Sequence, residues 1–377
     1  MRYEIAEAIK MLIHIIISSV NVLTNLKKIG CADNDIKIIV VDEGDEKIRM
    51  KNDKILAETA HEYYGPKERE KWFKERFGGS FEKYLGLIPE RCHAETSFGF
   101  LRAYEDGADV VIELDDDVYI SGDFLKAHVS NLLSEDGVTV HSRGRWYNTI
   151  DNLLLSPNEK VFPRGHPYTP PCRDEDYTWI NQGGKCILNM GLWSGQPDLD
   201  ALTIIYHGGL DGRSSIKSNG IRREKIIVDK RTYFAICSMN TSFLSKAIPA
   251  FYQLYMNFMD VDRFDDIWSG IFLKRIADHI GDGICLGKPL GFHDKRPRNI
   301  FKDLKKEASG LDMNELIWKI CDEAIFSAKT YPDCYLELAN HIEKEVEKWF
   351  KEPMQIKFWR IQVEKMRLWV EAADKIK

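Results

Sequence analysis

At 377 residues the chain is long enough to bury a large core, in one big domain or two. Charged residues make up 30% of it and balance to −6, so composition forces no basic surface, and no nucleic-acid partner is expected. No apolar run reaches the roughly 20 residues of a membrane span, and eight scattered cysteines without a C-x-x-C pair argue against a zinc module or a disulfide framework, so reduced thiols in a cytoplasmic protein are expected.

The N-terminal part reads as alternating strands and helices. Residues 2–11 have helical character and show no signal peptide, 12–18 form a β-rich run, and 22–29 predict a helix. Residues 36–41 are a second apolar run that closes on Asp42, Glu43, Gly44 and Asp45. Short continuous apolar runs separated by helical segments predict an α/β fold with a mainly parallel sheet flanked by helices. Residues 67–91 are strongly charged, with Trp72, Phe73 and Phe77 at helical spacing, and read as a helical insertion. Residues 95–106 predict a helix packed under the next strand.

That strand, 108–114, runs directly into Asp115, Asp116 and Asp117, the most informative feature of the chain. In open α/β sheets, ligands bind beyond the carboxyl ends of the strands. Adjacent carboxylates repel unless a cation joins them, and hard divalent ions take oxygen ligands and are shared with substrate phosphates. The expected site is therefore a metal–diphosphate site, against the plainer reading of an acidic turn. Further on, 143–200 is rich in Gly, Pro, Trp, Tyr and Arg and predicts long ordered loops. Residues 225–300 return to α/β character. From 301 the chain is helical, with apolar residues at three- and four-residue spacings across 311–328 and 335–371. That tail reads as a packing element or as a surface for a homo-oligomer.

Seven segments, in order, resemble one family, the reversibly glycosylated polypeptides of plants, which include the UDP-arabinopyranose mutases. The family's V-Q-D-G-D looks like Val41-Asp42-Glu43-Gly44-Asp45, and its I-D-D-D-C-F like Leu114-Asp115-Asp116-Asp117-Val118-Tyr119. Its V-R-G-Y-P-F resembles Pro163-Arg164-Gly165-His166-Pro167-Tyr168. Its H-G-L-W-x-x-x-P-D-Y-D-A resembles Met190-Gly191-Leu192-Trp193 with Pro197-Asp198-Leu199-Asp200-Ala201. Its C-G-M-N is similar to Cys237-Ser238-Met239-Asn240, and its R-Y-D-D-M-W to Arg263-Phe264-Asp265-Asp266-Ile267-Trp268. Its W-H-S-K resembles Phe292-His293-Asp294-Lys295. The chain departs at Ile17-Ser18-Ser19, where the family has I-P-T, at Met190, and at Arg173, which follows Arg164 by nine residues rather than seven.

The resemblance implies a GT-A-like, Rossmann-like domain over 1–300 and a C-terminal helical extension over 301–377. It implies a UDP-sugar donor, with GDP as the alternative base, and Mn²⁺ or Mg²⁺. Asp115, Asp117 and His293 are then the expected metal ligands. Asp42, Asp45, Asp115, Asp116 and Lys295 are the expected nucleotide and diphosphate contacts, although Asp-x-Gly-Asp also makes a good turn and Asp116 can cap the next one. Asp265 or Asp266 is the expected general base, or else a helix N-terminal acid pair. Trp193 and Trp268 stack on the sugar or belong to the core, and Arg173 and Asn240 are further substrate contacts. Arg164 matches the arginine associated with self-glycosylation; a bidentate clamp on an anion is its expected role here.

The implied activity is metal-dependent glycosyl transfer, to a sugar, lipid or protein acceptor, or pyranose–furanose interconversion of the bound sugar. One rival is a non-catalytic nucleotide-sugar-binding scaffold assembled through the C-terminal helices. Another is a sugar nucleotidyltransferase. That class opens with a Gly-rich basic loop after the first strand, which Ser18-Ser19-Val20-Asn21 lacks.

Overall fold

The computed structural model describes residues 11–28, 35–57, 59–120 and 122–377. The helix expected at 2–11 and Cys31 fall outside them, apart from Met11. The strands are β1 (Ile13–Ser19), β2 (Ile36–Asp42), β3 (His61–Tyr64), β4 (Val110–Leu114), β5 (Val118–Tyr119), β6 (Val138–Ser142), β7 (Leu153–Ser156), β8 (Tyr177–Ile180), β9 (Cys186–Gly195), β10 (Lys217–Ile221), β11 (Lys225–Val228), β12 (Asn240–Leu244) and β13 (Gly283–His293). The helices are α1 (Glu46–Leu56), α2 (Pro66–Phe77), α3 (Phe81–Leu85), α4 (Thr96–Glu105), α5 (Phe124–Leu133), α6 (Ala201–Tyr206), α7 (Asp265–Ile280), α8 (Ile300–Glu323), α9 (Tyr331–Trp349) and α10 (Pro353–Ile376).

One sheet runs β3-β2-β1-β4-β12-β9-β13-β11-β6-β8. Its first four strands are parallel, as the unbroken apolar runs of β1, β2 and β4 require when both faces are covered. From β12 onward the sheet is mixed, because β12 inserts antiparallel between β4 and β9. α4 presses close on β1, and a Cβ at Gly99 would stand only 2.2 Å from Ile16 Cγ2.

Four local expectations are corrected. Of the residues expected as a helix over 22–29, those described, 22–28, give only a short 3-10 turn, Thr24–Lys28. The loop expectation for 143–200 missed β9, a strand whose first eight residues are buried between β12 and β13. The helical pattern of 311–328 belongs to α8, which starts earlier at an Asn299 cap and stops at Glu323. The run 335–371 is two helices, broken ahead of Pro353.

The apolar stripes of α9 and α10 are covered within the chain. Trp359 packs on Trp268 of α7 at 4.8 Å, and Trp369 stacks on Tyr252 at 5.1 Å. Sheet, α7 and terminal helices thus share one continuous core. No helix among the described residues is long and apolar enough to cross a membrane. The seven described cysteines are buried and free.

Candidate functional site

The acidic turn leaves β4 at the centre of the sheet and returns at once through β5, which pairs antiparallel with the end of β13. This pairing sets His293 opposite Val118, and the Asp294 amide donates to the Asp117 carbonyl at 3.0 Å. The start of α7 arrives from the other side with Asp265 and Asp266. Two cavities meet here, an inner one of about 220 Å³ and an outer one of about 400 Å³, and both are lined by His93, Asp115, Asp117 and Arg298.

The inner wall holds a closed charge network. Arg164, buried, donates Nε to Asp198 and Nη2 to Asp266, and Nη2 lies 3.0 Å from both Asp198 Oδ2 and Asp266 Oδ2. Its Nη1 donates to Asp266 Oδ1 and to the Arg263 carbonyl. All three guanidinium nitrogens are thus engaged by protein acceptors. Burial opposes its charge, but Asp198 and then Asp266 hold it well above the usual arginine range. In this arrangement the guanidinium is committed to protein acceptors rather than held ready as a nucleophile or an anion clamp. Arg164 instead fixes two acids. Asp198 stays ionised: burial raises its carboxyl, yet Arg164 and Lys295 bring it down to about 2. Asp266 is pushed up by burial despite Arg164.

Asp265 is tied to a residue that the sequence reading missed. His93 Nδ1 lies 2.9 Å from Asp265 Oδ2, and its Nε2 lies 3.3 Å from Asp115 Oδ1. Burial would neutralise this ring, but Asp265 and Asp115 hold it well above the ordinary histidine range. Burial likewise raises the Asp265 carboxyl, but His93 outweighs it and keeps the group low.

The metal candidates divide. The His293 Nδ1–H donates to the Gln196 carbonyl at 2.7 Å, leaving Nε2 to face Asp117 Oδ2 at 3.8 Å. Burial, helped by Lys295, holds His293 neutral, at about 4. Burial and the neighbouring Asp115 and Asp116 push Asp117 up to about 7. A neutral imidazole with its second nitrogen anchored and a crowded carboxylate suit a divalent cation. Asp115 lines both cavities beside Asp117, with its Oδ1 3.3 Å from His93 Nε2. Among the described residues, no three His, Cys, Asp or Glu side chains form a ready-made cation site. The pair Asp117 and His293 fits an ion that draws its remaining ligands from substrate phosphate and water.

Lys295 lies in the inner cavity, buried, its Nζ without a partner. Burial, then Arg298, lowers it to about 8. Asp116 is held by the side chains of Ser19, Asn21 and Arg296 at the rim of the outer cavity, and not by an amide of the turn that follows it.

Other expected contacts lie elsewhere. Asp45 is exposed and caps α1 by accepting from the Ile48 amide at 2.9 Å. Asp42 is buried and accepts from the Gly44 amide, which is turn chemistry. Arg173 lies over Tyr168 and donates to the Pro167 carbonyl. Asn240 is fully buried, its amide on the carbonyls of Leu192 and Pro289. Trp193 and Trp268 are fully buried core residues, and Trp268 donates to Asn314.

Residues 94–377 match the family described as reversibly glycosylated polypeptide. UDP-arabinopyranose mutase 1 of Oryza sativa subsp. japonica is 28% identical over 277 residues, covering 71% of this chain and 68% of the relative. UDP-arabinopyranose mutase 1 of Arabidopsis thaliana is 27% identical over 277 residues, covering 71% and 69%. Among solved structures, glucosyl-3-phosphoglycerate synthase from Mycobacterium tuberculosis in complex with Mg²⁺ and UDP aligns with a TM-score of 0.41 at 12% identity, covering 83% of this chain and 82% of that one.

Proposed function

The chain belongs to the reversibly glycosylated polypeptide family, and from that premise we propose that it is an enzyme that binds a UDP-sugar across the two cavities and interconverts the pyranose and furanose forms of the sugar. The observation that carries this reading is the inner cavity. At about 220 Å³ it lies below the roughly 300–1,000 Å³ of sites for larger ligands, so it fits one sugar, and its wall sets fixed carboxylates beside arginine and lysine side chains. The outer cavity then takes the nucleotide. The catalytic unit in this reading is 1–300, with 301–377 as its packed extension.

Each residue has a defined task. The Lys295 ammonium, lacking a partner, receives a diphosphate oxygen. Arg298 adds positive charge where the two cavities join. Asp265, kept ionised, exchanges a proton with a sugar hydroxyl. Arg164 holds Asp198 and Asp266 rigid behind the sugar. A divalent cation on Asp117 and His293 would supply Lewis-acid neutralisation of the departing diphosphate.

The test is a thermal-shift panel of UDP- and GDP-sugars with Mn²⁺ or EDTA, on the wild type and on Asp117→Ala, followed by chromatography of the sugar product. A ligand that binds the folded state raises the melting temperature by mass action. A metal-dependent shift for one UDP-sugar, lost in Asp117→Ala, with ring-isomer product, supports the mutase reading. Transfer to an added acceptor would replace it with glycosyl transfer. No shift with any nucleotide-sugar would sink the enzymatic reading.

A further inference from the structure

His93 lies outside every motif of the sequence reading and one residue ahead of the family match, yet it lines both cavities. Its two ring nitrogens face carboxylate oxygens on different elements, Asp115 on the turn after β4 and Asp265 at the first residue of α7. An ionised carboxylate only accepts hydrogen bonds, so a ring flanked by one on each side donates from both nitrogens. Among the described residues no other side chain bonds to both acids.

The loop that carries the ring is itself held. The His93 carbonyl accepts from Thr96 Oγ1 at 2.9 Å, and the Glu95 amide donates to the Cys92 carbonyl at 3.0 Å. Just upstream, the Arg91 amide donates to the Glu43 carboxylate, which also pairs with Arg69 of α2. The charged helical segment thus anchors the loop that delivers the imidazole. Glu95 and Glu113 are the other carboxyls near the ring; burial pushes both well above the usual carboxylate range, and Glu113 is occupied by Gln253 Nε2 at 2.6 and 2.7 Å.

We propose that His93 is a positioning residue: by bridging Asp115 and Asp265 it fixes the Asp265 carboxylate in the wall of the inner, sugar-binding cavity. This deepens the UDP-sugar reading above and rests on it. Without the bridge, two carboxylates of like charge have no shared donor and Asp265 is free to turn away. A misplacement of about 1 Å in a reacting group costs on the order of 100-fold in rate.

The experiment compares full-length wild type, His93→Ala, His93→Gln, Asp265→Asn and the double variant His93→Ala/Asp265→Asn. UDP affinity is measured by calorimetry and UDP-sugar conversion by kcat and KM, with and without added imidazole. The expected result is a kcat about 10- to 100-fold lower in both His93 variants, with UDP affinity within about threefold of wild type. Imidazole restores part of the rate to His93→Ala only, and the double variant is no slower than Asp265→Asn. Affinity and kcat falling together, or multiplicative losses in the double variant, overturn the proposal. If the wild type converts no nucleotide-sugar, the enzymatic reading fails on its own account. The bridge is then judged by ¹⁵N spectra of the His93 ring: a shift on Asp265→Asn supports it, and unchanged resonances overturn it.

Discussion

Replacing Arg164 by methionine removes the cation that two buried carboxylates share. The side chains of Arg164, Asp198 and Asp266 are 9%, 6% and 5% exposed, so water cannot take over the lost pairing. Breaking a buried ion pair by deleting one partner costs about 3–5 kcal/mol. With an unfolding entropy of about 2.1 cal/mol/K per residue, 377 residues give about 0.8 kcal/mol/K, so the melting temperature should fall by about 4–6 °C. Arg164→Lys keeps the charge but offers three donors in place of five, and should lose an intermediate amount. Adding Asp198→Asn to Arg164→Met removes one orphaned acid and should recover part of the loss. Differential scanning calorimetry of the four proteins measures all of this. A melting temperature for Arg164→Met within about 1 °C of wild type would refute the lock and return the guanidinium to the ligand. The same lock predicts that intact-protein mass spectrometry after incubation with a UDP-sugar finds no sugar on Arg164.

Lys295→Met should be at least as stable as wild type, because it removes an unpartnered buried charge, while UDP binds about 10- to 100-fold more weakly by calorimetry; an unchanged affinity would remove Lys295 from the diphosphate. Trp268→Ala should cost about 3–5 kcal/mol in urea unfolding and leave KM of the remaining folded enzyme unaltered, whereas a KM effect without lost stability would restore a sugar-stacking role. Burial holds His128 and His166 neutral, each at about 3, against roughly 6.5 in the unfolded chain. Between those values the unfolded state binds more protons, so stability is complete above about pH 6.5. It should fall below that by up to about 1.4 kcal/mol per pH unit for each histidine. Urea midpoints of wild type and His128→Asn from pH 7 to 5 check the sign, and parallel curves would contradict it.

The parts of the site legible in the sequence were those written locally. Three aspartates at the end of an apolar run mark a strand end whatever the rest of the chain does. His293 became legible only through the resemblance, since nothing near it in sequence shows that β13 ends beside β5. Asp198 stood inside a matched motif but received no role, because its partner Arg164 is 34 residues away and its meaning is a charge balance. His93 carried no local signal at all; its partners are 22 and 172 residues distant. The failures are equally physical. Trp193, Asn240 and Trp268 are motif residues because they pack or bond the backbone in the core, and a motif match does not separate that from contact with a ligand. β9 hid behind Asn189, Gly191, Trp193 and Gly195, residues that a strand accepts only when both neighbours are already in place.

The covering of α3 by α10 has a consequence for how the chain is made. Tyr84, buried, donates its hydroxyl to Glu371, 287 residues later, and Lys365 of the same helix donates to the Gly86 carbonyl. At about 5–20 residues per second, a ribosome needs roughly 15–60 s to cross that separation. Throughout that interval Phe77 and Tyr84 pack only on each other and on near neighbours such as Trp72 and Phe73, and the face of α3 that α10 later covers is open to chaperones or to other nascent chains. The yield of folded protein should therefore depend on translation speed and chaperone supply more steeply than its finished stability implies.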